Sequence, residues 1–142
     1  MISKRRRIRE AVLESTFQID FNEEISYETI KNLLRDLLKD KKVPQSLIEE
    51  AEIYLENIIN NKNDYDELIK KYLVNWEFDR VAYIEKAILR LAIFELNNRK
   101  DIPPKVILDE AVELAKKYSN EKSAKFINGI LDRLAKEEFK RL

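Results

Sequence analysis

Between Val81 and Leu96 every residue is apolar except Glu85, Lys86, Arg90 and Glu95. At helical spacing these apolar residues cover most of the circumference, so such a helix is stable in water only if neighbours shield several of its sides. The segment is therefore expected to be the central helix of the fold, from about Asp79 to Asn97. A single glycine and three prolines in the whole chain favour long helices joined by short turns around it.

The rest of the sequence supplies six further amphipathic patterns. A first helix is predicted from about Lys4 to Phe21, with Ile8, Val12 and Ile19 on one side and Leu13, Phe17 and Phe21 widening the apolar surface. Ser26 is the expected N-cap of a second helix carrying Ile30, Leu33, Leu34, Leu37 and Leu38 until the charged run Lys39 to Lys42. Pro44 suits the first turn of a third, with Leu47, Ile48, Ala51, Tyr54, Leu55, Ile58 and Ile59, ended by the cluster Asn60 to Asn63. A fourth, capped by Asn63 or Asp64, carries Tyr65, Leu68, Ile69, Tyr72 and Leu73, and Trp76 and Phe78 are expected to lock down the connection that follows. Pro103 and Pro104 open the sixth helix; Asn120 or Ser119 caps the seventh, whose inward set is Ala124, Ile127, Ile130, Leu131 and Leu134. The expectation is an all-α fold of seven helices: one domain, residues 1–142, made of an N-terminal helical subbundle at about 1–62 and a C-terminal one at about 63–142.

Composition excludes several function classes. Histidine and cysteine are both absent, which removes disulfides, thiolate and imidazole metal ligands, and the usual nucleophile–base pairs. Carboxylate pairs such as Glu49/Glu50, Asp64/Asp66 and Glu137/Glu138 fall in abundant charged surface. The stretch Asn60 to Asp66 lacks the glycine and final Glu of a calcium loop, and no phosphate-cradling glycine motif occurs. No enzymatic activity, cofactor or metal is expected. The apolar core of a signal peptide is missing, and no run approaches the ~20 apolar residues of a membrane span, so a cytoplasmic location is expected.

Charge is balanced overall, 27 Lys+Arg against 27 Asp+Glu, yet Lys4, Arg5, Arg6, Arg7 and Arg9 gather at one end. Arg5 and Arg9 share a side of the first helix and Arg6 lies near the opposite one, an arrangement able to wrap a phosphate backbone. Cations at a helix N-terminus oppose the macrodipole, which argues for a purpose. Nucleic acid is the favoured partner; an acidic protein patch and a solvated face are the alternatives.

A second basic feature, Lys116, Lys117, Lys122 and Lys125, is interleaved with Tyr118 and Phe126. Aromatic rings beside cations suit single-stranded RNA, stacking bases while the charges hold phosphates. The residues alone favour the alternative in which Phe126 belongs to the core and the lysines to ordinary helix surface. On the central helix, Glu85, Lys86 and Arg90 span an arc of about 140°, a polar strip expected to face water or a partner, and Glu95 off that strip is expected to be a partly buried acid. Gly129, alone inside a sound helix at a cost of ~1 kcal/mol, suggests close approach of another backbone, that of the fifth or sixth helix before that of a bound partner.

These segments together resemble the transcription antitermination factor NusB family along nearly the whole chain. The carriers are Arg5-Arg6-Arg7-Ile8-Arg9-Glu10-Ala11-Val12 with Phe17-Gln18, then Tyr72-Leu73-Val74-Asn75-Trp76, Asp79-Arg80, Ala87-Ile88-Leu89-Arg90-Leu91-Ala92 and Glu95-Leu96. Asp101-Ile102-Pro103, Asp109 to Lys116, and Lys125-Phe126-Ile127-Asn128-Gly129-Ile130-Leu131 follow in the family's order. One such motif is weak; the ordered set is specific.

The resemblance implies a non-catalytic factor that binds boxA-type single-stranded RNA together with the small-subunit ribosomal protein acting as NusE, in the RNA polymerase antitermination complex of ribosomal RNA transcription. It places Arg5, Arg6, Arg7 and Arg9 along the RNA path with Lys125 and Phe126 at its other end, and Arg80, Glu85, Lys86 and Arg90 nearest the ribosomal-protein partner. Lys4, Tyr118 and Lys122 join the RNA-binding set from the charge and ring pattern. Some family members form homodimers, and a similar domain precedes the catalytic part of some RNA cytosine methyltransferases, so a structural homodimer and an RNA-modification accessory are the alternatives. Two positions depart from the family: Glu85-Lys86 replaces a common Asp-Arg, and Asn57 a common glycine.

Overall fold

The computed structural model describes residues 3–40 and 42–142. Lys41, within the charged run expected to end the second helix, lies outside the described residues. Among the described residues there are seven α-helices and no strand: α1 (Lys4–Thr16), α2 (Tyr27–Asp40), α3 (Gln45–Asn60), α4 (Lys62–Lys71), α5 (Tyr83–Asn98), α6 (Pro104–Tyr118) and α7 (Glu121–Glu137). The chain divides into two compact units, the first ending at Asn60 and the second beginning at Asn61.

In the first unit α1 packs against α2 and α3, which also touch each other. Two stripes of α1 are buried: Ile8, Ala11, Val12 and Ser15, and beside them Arg9, Leu13 and Thr16 at i, i+4, i+7. Ile30, Leu34 and Leu38 of α2 and Ile48, Ala51, Tyr54, Leu55 and Ile58 of α3 complete the core. Each buried Leu or Ile contributes roughly 1.5–3 kcal/mol against its exposed state. Regular α-geometry stops at Thr16, short of the expected Phe21, and a 3-10 turn, Phe17–Asp20, follows. Just before the change, the Ser15 and Thr16 hydroxyls donate to the Ala11 and Val12 carbonyls at 2.7 and 2.9 Å, a back-bonding that bends helices. Ser26 caps α2 as expected, its Oγ accepting from the Thr29 N–H at 3.1 Å. Pro44 sits one residue ahead of α3, its carbonyl accepting from Leu47 and Ile48.

In the second unit α5 is the central element, in contact with α4, α6 and α7. From Lys86 to Leu96 every residue is buried. The helix starts at Tyr83, four residues later than expected, because Phe78–Arg80 forms a 3-10 turn and Val81 and Ala82 run extended. Glu85 marks the true start: its Oε1 accepts the Ala82 N–H at 3.1 Å, supplying one of the orphan donors of the first turn with a partner. Asn61, rather than Asn63 or Asp64, occupies the cap position of α4. Pro104 fills the first turn of α6, where its missing N–H costs nothing. Asn120 is the cap of α7, accepting from the Ser123 N–H at 2.8 Å.

Candidate nucleic-acid interface

The basic block belongs to the first unit. Ser3 caps α1 by accepting the Arg6 N–H at 3.1 Å, so the block begins at the first turn, and no acidic residue occupies that turn. Four cations therefore sit on the positive end of the helix dipole, and the two fields add toward an incoming anion. Lys4 is exposed and Arg5, Arg6 and Arg7 are half-buried. Arg9 departs from the expected RNA-facing set: it is 3% exposed, on the buried Arg9–Leu13–Thr16 stripe, with Glu10 buried next to it. The part of the block that reaches the surface is thus Lys4 to Arg7.

The polar strip of α5 is corrected more deeply. Arg90 is 1% exposed and forms a two-pronged ion pair with Asp66 of α4, Nε to Oδ1 at 2.7 Å and Nη2 to Oδ2 at 3.1 Å. Lys62, one turn before Asp66, donates to the same carboxylate at 3.1 Å. Lys86, 6% exposed, places its ammonium 4.2 Å from the centre of the Phe78 ring and 5.5 Å from that of Tyr83. Neither side chain faces water. Burial is possible because each cation has a partner contributed by a different element, a fact the helical wheel of α5 alone does not contain. Glu95 is buried as expected. Of the expected partner-facing residues, Arg80 is exposed and Glu85 half-buried.

Both oxygens of Glu85 are engaged inside the second unit. Oε2 accepts from the Ser123 hydroxyl of α7 at 2.6 Å while Oε1 holds the start of α5. This carboxylate fastens the first turns of α5 and α7 together, and beside it opens a groove of about 390 Å³ whose lining includes Trp76, Val81, Ala82, Lys122 and Phe126. Phe126 is half-buried, and its ring centroid lies 6.0 Å from that of Trp76 with the planes at 57°. Lys122 and Lys125 are exposed on α7; Tyr118 is half-buried at the end of α6, with the Lys117 ammonium 5.5 Å from its ring centre. The structure thus brings Lys122 and Phe126 to one groove, whereas Tyr118 and Lys125 are not in its lining.

Trp76 is the residue that sequence reasoning misplaced. It does not lock its connection down but stands 50% exposed at the rim of the groove, just after Asn75, whose left-handed φ of 61° turns the chain. Its neighbours Asn75 and Glu77 were the available signal, since an indole flanked by polar residues in a turn has few ways to be covered. Gly129 also departs from expectation. A Cβ built there meets nothing within 4 Å, so among the described residues no backbone of another element comes close.

Among the described residues no helix is long and apolar enough to cross a membrane.

Comparison with known proteins matches the chain along nearly its whole length. A transcription antitermination protein NusB of Fervidobacterium nodosum is 41% identical over 141 residues, covering 96% of this chain and 94% of that protein. One from Methylacidiphilum infernorum is 42% identical over 137 residues, covering 96% and 93%. Among solved structures, T. maritima NusB superimposes with a TM-score of 0.86 at 40% identity over 100% of both chains. A structure of the antitermination factors NusB and NusE in complex with double-stranded RNA matches with a TM-score of 0.80 at 27% identity, covering 96% of this chain and 98% of that one. Residues 6–136 match the family model described as the NusB family. With residues 6–136 matched by the family model and near-complete coverage in both directions, the chain belongs to the NusB family.

Proposed function

We propose that this protein is a non-catalytic transcription antitermination factor that binds boxA-type single-stranded RNA together with the ribosomal protein NusE, in the cytoplasm, during ribosomal RNA transcription. The observation that carries the reading is the cationic first turn of α1: Lys4, Arg5, Arg6 and Arg7 on a capped helix N-terminus whose first turn holds no acidic residue. That arrangement is costly for a lone helix and favourable next to a polyanion. The similarity to a NusB that was solved with NusE and double-stranded RNA supports RNA and NusE as partners. In the second unit, Lys122, Lys125, Phe126 and Tyr118 supply further phosphate and base contacts. Arg80 and Glu85 are the side chains of the expected partner surface that remain at least partly accessible. Lys86 and Arg90 act behind them by fixing where α5 lies.

The test is the affinity of the full chain for a boxA-type RNA and for a scrambled RNA, with and without NusE, across a salt series. The expected result is a linear fall of log affinity with log salt and a preference for boxA in the presence of NusE. Absence of salt dependence, or equal binding of both RNAs by the complex, overturns the reading.

A further inference from the structure

We propose that Ser123 is a positioning residue: its hydroxyl, bonded to Glu85, ties the first turn of α7 to the first turn of α5 and so couples RNA at α7 to NusE at the start of α5. The proposal rests on the reading above and assigns the link between the two partners' sites to one hidden side chain.

Ser123 is 4% exposed, so it reaches neither partner itself. Its N–H donates to Asn120 Oδ1 at 2.8 Å, which closes the cap of α7. Its hydroxyl leaves the helix and donates to Glu85 Oε2 at 2.6 Å. Capping explains the first bond and not the second. Glu85 holds the equivalent place in the other helix, since each is the third residue of its helix, behind the caps Ala82 and Asn120. The other oxygen of Glu85 accepts the Ala82 N–H at 3.1 Å. One carboxylate therefore orients two helix starts, the parts of a helix that fray most readily. Neither first turn can unwind without giving up a bond to that carboxylate.

The outward side chains of these turns are those assigned to the two partners. Arg80 is exposed just before α5, while on α7 Lys122 and Lys125 are exposed and Phe126 is half-buried. Each Glu85 oxygen accepts one of the two bonds and has a second lone pair, so a donor from NusE can engage it without displacing Ser123. Immobilising the start of α5 then fixes the carboxylate, and with it Ser123, before RNA arrives. RNA meets an α7 whose ordering cost is already met, which makes the coupling positive, and reciprocity requires RNA to raise NusE affinity by the same factor.

The experiment measures anisotropy of a labelled boxA-type RNA with the full chain, with and without saturating NusE, for wild type, Ser123→Ala and Ser123→Thr. The ratio of the two affinities is the coupling factor, expected at roughly 5- to 150-fold in the wild type. Ser123→Ala should lose most of it, and Ser123→Thr, which keeps the hydroxyl, should retain it. Thermal melts confirm that the variants fold. A purely structural role weakens RNA binding equally with and without NusE, so an unchanged factor in folded Ser123→Ala overturns the proposal. Hydrogen exchange of wild type with NusE alone is the second measurement: slower exchange of the Ser123 and Ala124 amides is expected, and unchanged exchange overturns the proposal even if Ser123→Ala does not fold. If RNA binds but NusE leaves its affinity unaltered, the coupling falls and the RNA-binding reading survives. If no RNA binds even at low salt, both fall together.

Discussion

Arg90 of α5 and Asp66 of α4 are held in a two-pronged ion pair at 2.7 and 3.1 Å, with the arginine 1% exposed. The planar guanidinium meets the carboxylate plane, and Lys62 donates to the same carboxylate. The pair fixes α4 against the central helix of the second unit. It also removes Arg90 from any partner surface, since the fork is already occupied.

Asp66→Ala is expected to cost about 3–5 kcal/mol by leaving the guanidinium buried without its carboxylate. Arg90→Met together with Asp66→Leu replaces the pair by apolar volume and should recover much of that loss, because a buried ion pair gains little over a packed hydrophobic substitute. Urea denaturation of the single and double variants provides the check. Equal stability of Asp66→Ala and wild type contradicts a structural role for the pair.

How much of this was legible in the sequence depends on whether a residue's partner is near it in the chain. The centrality of α5 follows from its own composition, because so many apolar residues leave no alternative to enclosure. The caps Ser26 and Asn120 were readable for the same reason, each bonding a backbone N–H three residues on. Arg90 was misread because its partner is 24 residues away on another helix, and Lys86 because its aromatic partner Phe78 lies in a turn taken to be part of the connection. On α1 the helical wheel places Arg9 with Arg5, but the packing of Leu13 and Thr16 takes Arg9 inside. The groove required three separate segments to converge, and no periodicity within one helix announces that.

The two arginines of α1 should respond differently to truncation. Arg5→Ala is expected to lower RNA affinity similarly for all sequences and reduce the slope of log affinity against log salt by about one, with little effect on stability. Arg9→Ala should act chiefly on stability, since its side chain is enclosed among Leu13 and Thr16 on the buried stripe. Salt-series anisotropy paired with thermal melts distinguishes them. A full unit of lost salt slope in Arg9→Ala with unchanged stability contradicts the placement.

Gly129 offers a stabilising substitution. It lies inside α7, its φ is not positive, and an added Cβ meets nothing within 4 Å. Gly129→Ala should therefore raise stability by about 0.4–1 kcal/mol, through the lower backbone freedom of the unfolded chain. Measured alongside binding, the variant also reports on partners: loss of RNA or NusE affinity in a more stable protein locates a partner backbone at this exposed position. An unchanged or lowered denaturation midpoint contradicts the open surroundings.

The end of the chain is tied down by a contact that titrates at both extremes of pH. The Tyr72 hydroxyl donates to Glu138 Oε1 at 2.8 Å, and Lys71 donates to the same oxygen at 2.6 Å. Burial, and then the Glu138 carboxylate, push the tyrosine from its ordinary 10.0 up to about 12. Lys71, and then Tyr72, hold Glu138 below its ordinary 4.5. For Tyr72 the folded state keeps a proton that the unfolded chain releases, so its contribution is fully present below pH 10 and is lost as pH rises toward about 12. For Glu138 the sign is reversed: the contribution is present above the ordinary carboxylate range and is lost as pH falls through the lowered value. Tyr72→Phe should flatten the alkaline fall in stability and leave most of the acid limb, whereas Glu138→Gln should reduce both. Denaturation midpoints across pH test this. A Tyr72→Phe profile that matches wild type above pH 10 shows that the alkaline limb has another source.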